Sequence, residues 1–330
     1  MKIAVVGGVN STSILIKKLY EHNFQNTKIW AYEPNNKLNV SGWEDLTILA
    51  KKFDYEYQKF SKVKEITLDL KKFKPDYIFV VGLSQLVPNS ILEIPKNGCI
   101  GFHPTALPKG RGRAPLAWLI LEESDGAATF FWLKSGIDNG AIIEQVKFSF
   151  TKKDNATTIT QKCLDAEKIA LDNMLKKIRN SEIISFEQDN KKATWFGKRS
   201  PEDGIINWNE SAIYIDKLVR ATTVPHPGAF TFHEKEKIYI WKTNIKFIPI
   251  KGVIGRILDL DSDKSFKVQT GDGIIEVEKW SSSIWQPKVG MKLGYSNEIE
   301  INKIHKEIVN LKSIINEMEF KISKLEDQIT

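Results

Sequence analysis

Along the first half of the chain, short continuous apolar runs alternate with stretches whose apolar residues recur at helical spacing. Residues 2–6 form such a run and end in Gly7-Gly8, after which Ile14, Leu15 and Leu19 keep the spacing of a helix over 11–21. A second run covers 28–32, followed by a helical stretch near 45–52. The run at 77–81 is apolar without a break, the pattern of a strand buried on both faces of a parallel sheet. Residues 98–102 predict another strand, 115–122 a helix, 127–133 and 141–148 two more strands, and 157–180 a long helix. The buried stripe of that helix would be Ile159, Cys163, Ala166, Ile169 and Ala170. This alternation predicts an α/β domain over 1–186 built on a doubly wound, mostly parallel sheet.

A polar stretch at 187–192 reads as a linker, and from about residue 204 the texture changes to short β-rich runs punctuated by glycine turns. Residues 187–296 are therefore expected to form a small open, OB-like β-barrel. The segment 297–330 has the sharpest period. Ile301, Ile308, Ile315, Ile322 and Ile329 fall seven apart, and Ile304, Leu311, Met318 and Leu325 fall seven apart between them. That is the a/d pattern of a coiled coil, with Glu307 and Lys312, and Lys321 and Glu326, placed to pair across two parallel chains. Self-association through this helix, as a dimer, is the expectation; the alternative is a helix lying on its own barrel domain.

Composition narrows the picture by exclusion. No run approaches the ~20 apolar residues needed to span a bilayer, and the first residues lack the pattern of a secretion signal, so a cytoplasmic protein without a membrane contact is expected. Cys99 and Cys163, the two cysteines, stand far apart among apolar residues and predict buried reduced thiols rather than a metal site or a disulfide. The net charge of +7 suits an anionic partner, but the lysines lie in scattered pairs instead of one basic block.

Candidate chemistry gathers after the strand at 98–102. His103 opens a loop dense in glycine, proline and arginine, and the carboxyl end of a parallel strand is where open α/β sheets place ligands. Downstream, Asp138 sits in a turn between Gly136 and Gly140. A carboxylate beside an imidazole fixes its tautomer and favours its charged form, which makes a base for an attacking amine. Taken singly, a histidine before proline and an Ile-Asp-Asn-Gly turn are ordinary structural features. The Gly7-Gly8 turn matches neither a dinucleotide fingerprint nor a P-loop and reads as a tight strand-to-helix connection.

The order of the motifs is more telling: GLSQLVP at 82–88, HPTALPKGRGRAPLAW at 103–118, IDNG at 137–140, TWFGKRSPEDG at 194–204, VRAT at 219–222 and PHPGAF at 225–230. Together these resemble the formyltransferase family over nearly the whole chain up to about residue 295. The resemblance is greatest to members acting on nucleotide-linked amino sugars, such as the formyltransferase half of the enzyme that modifies UDP-4-amino-4-deoxy-L-arabinose. It implies 10-formyltetrahydrofolate as co-substrate, His103 as the proton-transferring residue and Asp138 as its orienting partner. It further implies a folate site along Gln85, Leu86 and Val87, near Arg113, and against Lys134, Ser135, Gly136 and Ile137. Arg111, Arg199 and Arg220 are candidates for the acceptor, since arginine suits phosphate.

One position departs from the family pattern. Where an asparagine two residues before the histidine would donate to the oxyanion, this chain has Gly101. Loss of one such donor typically costs about 10²- to 10³-fold in rate. The glycine is expected to leave room for a water, a backbone N–H or a side chain from elsewhere. Two alternatives are carried beside the sugar enzyme. A methionyl-tRNA formyltransferase shares these motifs but carries a long basic loop after the second strand, where this chain has the short, nearly neutral segment 33–37, so tRNA is not the expected partner. A non-catalytic relative, with Gly101 as a lost group, would transfer no formyl group at all; a relative using another acyl donor or hydrolysing formyl-folate also stays open.

Overall fold

Strands β1 (Ile3–Gly7) and β4 (Tyr77–Val81) are buried at every residue, and successive side chains enter opposite cores. Ile3, Val5, Tyr77, Phe79 and Val81 join one hydrophobic cluster, while Ala4, Val6, Ile78 and Val80 join a second on the other face. The first cluster is covered by α1 (Asn10–Glu21) and the long α6 (Ala156–Asn180); the second receives Leu70 of α3 (Thr67–Phe73). The computed structural model describes residues 1–37, 40–294 and 297–326. It divides into one unit of Met1–Gly204 with Asp216–Ala229 and another of Ile205–Ile215 with Phe230–Thr330.

The sheet of the first unit has seven strands. β3 (Glu56–Phe60), β2 (Thr27–Tyr32), β1, β4 and β5 (Gly98–His103) are parallel neighbours in that order, and β7 (Gly126–Trp132) and β8 (Ile142–Phe148) extend it antiparallel. Short helices α2 (Thr47–Lys52), α4 (Asn89–Leu92) and α5 (Pro115–Leu121) fill connections. A separate two-stranded ladder joins β6 (Arg111–Gly112) to β9 (Trp195–Phe196), which is why the unit runs on to Gly204 rather than ending near 186. The expected α/β architecture is present. β3 escaped prediction because it is an edge strand with only Phe60 buried, so its sequence carries no apolar run.

Helix α6 starts where the Asn155 side chain accepts from the Thr158 N–H and stops at Ser181 in the left-handed conformation. Its stripe differs from the expected one: Ile159, Cys163, Ala166 and Ala170 are buried, but Ile169 is exposed, and Leu171, Met174, Leu175 and Ile178 complete the face. At about 100° per residue this arc is centred close to Glu167. Glu167 is accordingly fully buried, and neither carboxylate oxygen has a hydrogen-bond partner. Burial drives its pKa far above the ordinary carboxylate value. The fold therefore holds the protonated acid, and stability is lost as pH rises above the unfolded-state value of about 4.3. Glu167→Met, which has no proton to lose, is expected to stabilise by about 1–3 kcal/mol at pH 8 and by less at pH 5; equal effects at both, read from Tm, would contradict this account.

In the second unit, β10 (Ala229–His233), β11 (Glu236–Lys246), β14 (Ile274–Ser281), β13 (Phe266–Gln269) and β12 (Ile257–Leu260) form a five-stranded antiparallel sheet in that order. Segment 290–294 bonds to both edges: Met291 O accepts from Ile257 N–H, and Gly294 N–H donates to Phe232 O. Helix α7 (Ala212–Thr222) passes between units in sequence, and α8 (Asn297–Glu326) takes up the heptad segment. Ile329, the last residue of the heptad pattern, lies outside the described residues.

Candidate active site

β5 delivers His103 at the carboxyl end of the parallel sheet, and the loop that follows turns back over it. The Gly110 carbonyl accepts from His103 Nε2 at 2.8 Å. A carbonyl only accepts, so this bond assigns the proton of the neutral ring to Nε2 and leaves Nδ1 as the basic nitrogen. Nδ1 faces Asp138, whose Oδ2 is 3.6 Å away. The same Oδ2 accepts from the Gly112 N–H at 2.9 Å. The tautomer is thus set by Gly110 rather than by Asp138, the residue expected to set it, and the carboxylate stands beside the unprotonated nitrogen.

The loop is pinned along its length. Thr129 Oγ1 donates to Thr105 O, Gln145 Nε2 to Leu107 O, and Gly110 N–H to Thr194 Oγ1. The β6–β9 pair brings backbone so close that a Cβ on Gly112, at φ +110°, would lie 2.4 Å from Phe196 O. Only glycine lets that N–H reach the carboxylate.

Asp138 has φ 49°, a left-handed backbone that aspartate and asparagine tolerate best among side chains with a Cβ. It is held there by a residue the sequence reading missed. Gln188 Nε2 donates to the Asp138 and Gly140 carbonyls at 2.8 and 2.7 Å, and its Oε1 accepts from Arg111 Nε and Nη2. Arg111 also donates to Asn190 Oδ1 and is buried, so its guanidinium braces the Asp138 turn through Gln188 and is engaged internally. Gln188 lay in the polar stretch read as a linker, where no periodicity marks a buried residue. Gln188→Ala is expected to lower kcat by about 10- to 100-fold through a shift of the Asp138 turn, with KM little changed; steady-state kinetics well below Tm check this.

Arg220 is tied to Asp216 at 2.7 Å and to the Asp154 carbonyl, so its guanidinium is also engaged internally. Arg113 is exposed, and Arg199 lies over the Trp118 ring while donating to Asp203 O. Gln85 spends its amide on its own surroundings, accepting from Val63 N–H and donating to Ser61 O. Leu83, Val87 and Leu133 pack against one and the same core cluster, which brings the loops after β4 and β7 together. Leu86 and Ile137 are left exposed on these loops, as are Lys134, Ser135 and Gly136, with Lys134 3.5 Å from Glu187.

At Gly101 the expected room is filled. An added Cβ would lie 2.9 Å from Leu133 Cδ1 and 3.0 Å from Phe131 Cζ, Phe131 being the direct cross-strand neighbour on β7. The nearest atoms on this side of the strand are hydrocarbon.

His226, from the motif at 225–230, was not singled out in sequence. Its Nδ1 is 3.0 Å from Ser41 Oγ and its Nε2 is buried without a partner. Burial, then the charge of Arg199, holds its pKa below the ordinary histidine value. Cys99 and Cys163 are buried free thiols, and burial alone pushes Cys99 up to about 12, far from thiolate chemistry. Among the described residues no group of three or more His, Cys, Asp or Glu side chains is placed to hold a metal, and no helix is long and apolar enough to cross a membrane.

Two family models and several known proteins match the chain. The formyl transferase family model matches residues 1–175, and the model of the formyl transferase C-terminal domain matches residues 198–283. The chain is 32% identical over 212 residues to a methionyl-tRNA formyltransferase of Alkaliphilus oremlandii, covering 64% of this chain and 68% of that one. It is 36% identical over 179 residues to the bifunctional polymyxin resistance protein ArnA of Wigglesworthia glossinidia brevipalpis, covering 54% of this chain and 27% of that one. Among solved structures, an N-formyltransferase of Helicobacter canadensis, in complex with folinic acid and dTDP-3-aminofucose, shares the fold with a TM-score of 0.64 at 19% identity. That match covers 86% of this chain and 100% of the other. The sugar 3N-formyltransferase WlaRD, in the presence of dTDP and 5-N-formyl-THF, gives a TM-score of 0.65 at 18% identity, covering 86% and 99%.

Proposed function

The chain belongs to the formyl transferase family, and from that premise we propose that it moves a formyl group from 10-formyltetrahydrofolate to the amine of a nucleotide-linked amino-deoxy sugar. The observation that carries the reading is the placement of His103 Nδ1 3.6 Å from Asp138 Oδ2, in a loop fixed by the bonds to Gly110 and Gly112.

The residues present fit a folate. Leu86 and Ile137 offer exposed apolar surface on two loops joined through a shared core cluster, and residues 134–137 are exposed. A flat heterocycle with amide-like edges is recognised by a combination of apolar contact and backbone donors and acceptors.

His103 Nδ1 takes a proton from the amine as its nitrogen bonds to the formyl carbon, and returns one to the folate nitrogen as that C–N bond breaks. Asp138 offsets the positive charge on the imidazole between the two transfers, and Gly110 keeps the ring from turning. Arg113, which is exposed, and Arg199, whose hydrogen bond to Asp203 O leaves the rest of its fork unused, are the arginines proposed for the pyrophosphate of the acceptor, since Arg111 and Arg220 are tied down by two or more internal bonds.

Initiator tRNA is the acceptor in the second reading, favoured by relatives named methionyl-tRNA formyltransferase. The region after β2 argues against it. Glu33 pairs with both Lys37 and Lys59, so the short segment 33–37 offers little net charge for a phosphate backbone. The deciding experiment incubates the protein and 10-formyltetrahydrofolate with UDP-, dTDP- and GDP-linked amino-deoxy sugars and, separately, with charged initiator tRNA. Formyl mass gain on a sugar nucleotide is the expected result; gain on the tRNA alone overturns the acceptor, and gain on neither overturns the transfer.

A further inference from the structure

Helix α8 runs for 30 residues, about 45 Å at 1.5 Å per residue, and its apolar seam is uncovered. Ile301, Ile304, Ile308, Leu311, Ile315, Met318 and Ile322 are each between 42% and 57% exposed. Seven large apolar side chains in one line, none covered by the chain's own fold, form a surface of the kind that marks an interaction site. Their strict seven-residue repeat matches another helix with the same repeat, because knobs at a and d enter holes only where the partner repeats in phase.

We propose that the occupant is α8 of a second copy of this chain, in a parallel two-stranded coiled coil. Charge complementarity fits a like copy in parallel register. Glu307 at g then faces Lys312 at e of the second copy, twice by symmetry, and the sequence repeats the opposition with Lys321 and Glu326. Isoleucine at each described a position with Leu311 at a central d position favours two strands.

Sedimentation of the full chain is expected to give twice the 37.7 kDa of one chain at micromolar concentration. Ile308→Asp with Ile315→Asp puts charges into the seam and should return the protein to monomer, with turnover within twofold of the parent. Ile301→Cys tests direction. Facing a-position cysteines meet only in a parallel pair, and Cys99 and Cys163 are buried, so mild oxidation should give a covalent dimer. A monomeric parent, or a dimer that survives the double aspartate variant, overturns the seam as the interface. A higher oligomer overturns the two-stranded assignment, and a dimer that the cysteine fails to link overturns parallel register.

Discussion

Asp138→Asn is expected to cut formyl transfer by about 10²-fold or more, and His103→Ala by about 10²- to 10⁴-fold, with Tm lowered only modestly in the first. Asparagine is the informative replacement at 138. The position has φ 49°, where alanine is strained, so Asp138→Ala would mix loss of charge with a distorted turn. An asparagine keeps the left-handed backbone, the Gln188 bond to its carbonyl and an oxygen for the Gly112 N–H, and removes only the negative charge beside His103 Nδ1. In His103→Ala the Gly110 carbonyl keeps a hydroxyl donor from Thr105 at 3.3 Å, so the loop need not collapse. Steady-state turnover with saturating donor, alongside thermal melts, checks both. Variants that fold and still turn over within tenfold of the parent would show that the pair does not carry the proton.

What the sequence made legible follows from where the physics is local. β4 was readable at its exact bounds because a strand buried on both faces must be apolar at every residue. β5 and the loop after it were readable through their ordered motif, and His103 and Asp138 do come together. Illegible were the features set by tertiary partners. β3 pairs at an edge with a polar sequence, Gln188 is buried out of a polar stretch by its bonds to Asp138 and Arg111, and Ile169 falls off the buried arc of α6. The roles of Arg111 and Arg220 changed for the same reason. An arginine in a loop beside a histidine looks available until the acceptors that satisfy its fork, Gln188 and Asn190 here, are seen in space.

Gly101 carries the second large effect, and its sign depends on a neighbour. β-strand alternation puts Gly101 and His103 on one face of β5, so a side chain at 101 enters the region the imidazole serves. Gly101→Asn alone should fail to raise turnover, because its Cβ meets Leu133 Cδ1 at 2.9 Å and the ring edge of Phe131 at 3.0 Å. Overpacking of this kind costs about 1–3 kcal/mol and displaces the amide from the place where a donor is useful. Leu133 is only partly buried, so it is the neighbour that can be cut back without opening the core. The double variant Gly101→Asn with Leu133→Ala then combines the missing donor with room to hold it. Turnover is expected to rise by about 10²-fold over Leu133→Ala alone, the size of one oxyanion donor, with KM for the folate little changed. A folded double variant no faster than Leu133→Ala would mean that charge on the tetrahedral oxygen is already met from elsewhere, most directly by His103 in its protonated form, and that the glycine is a settled part of this site rather than a gap in it.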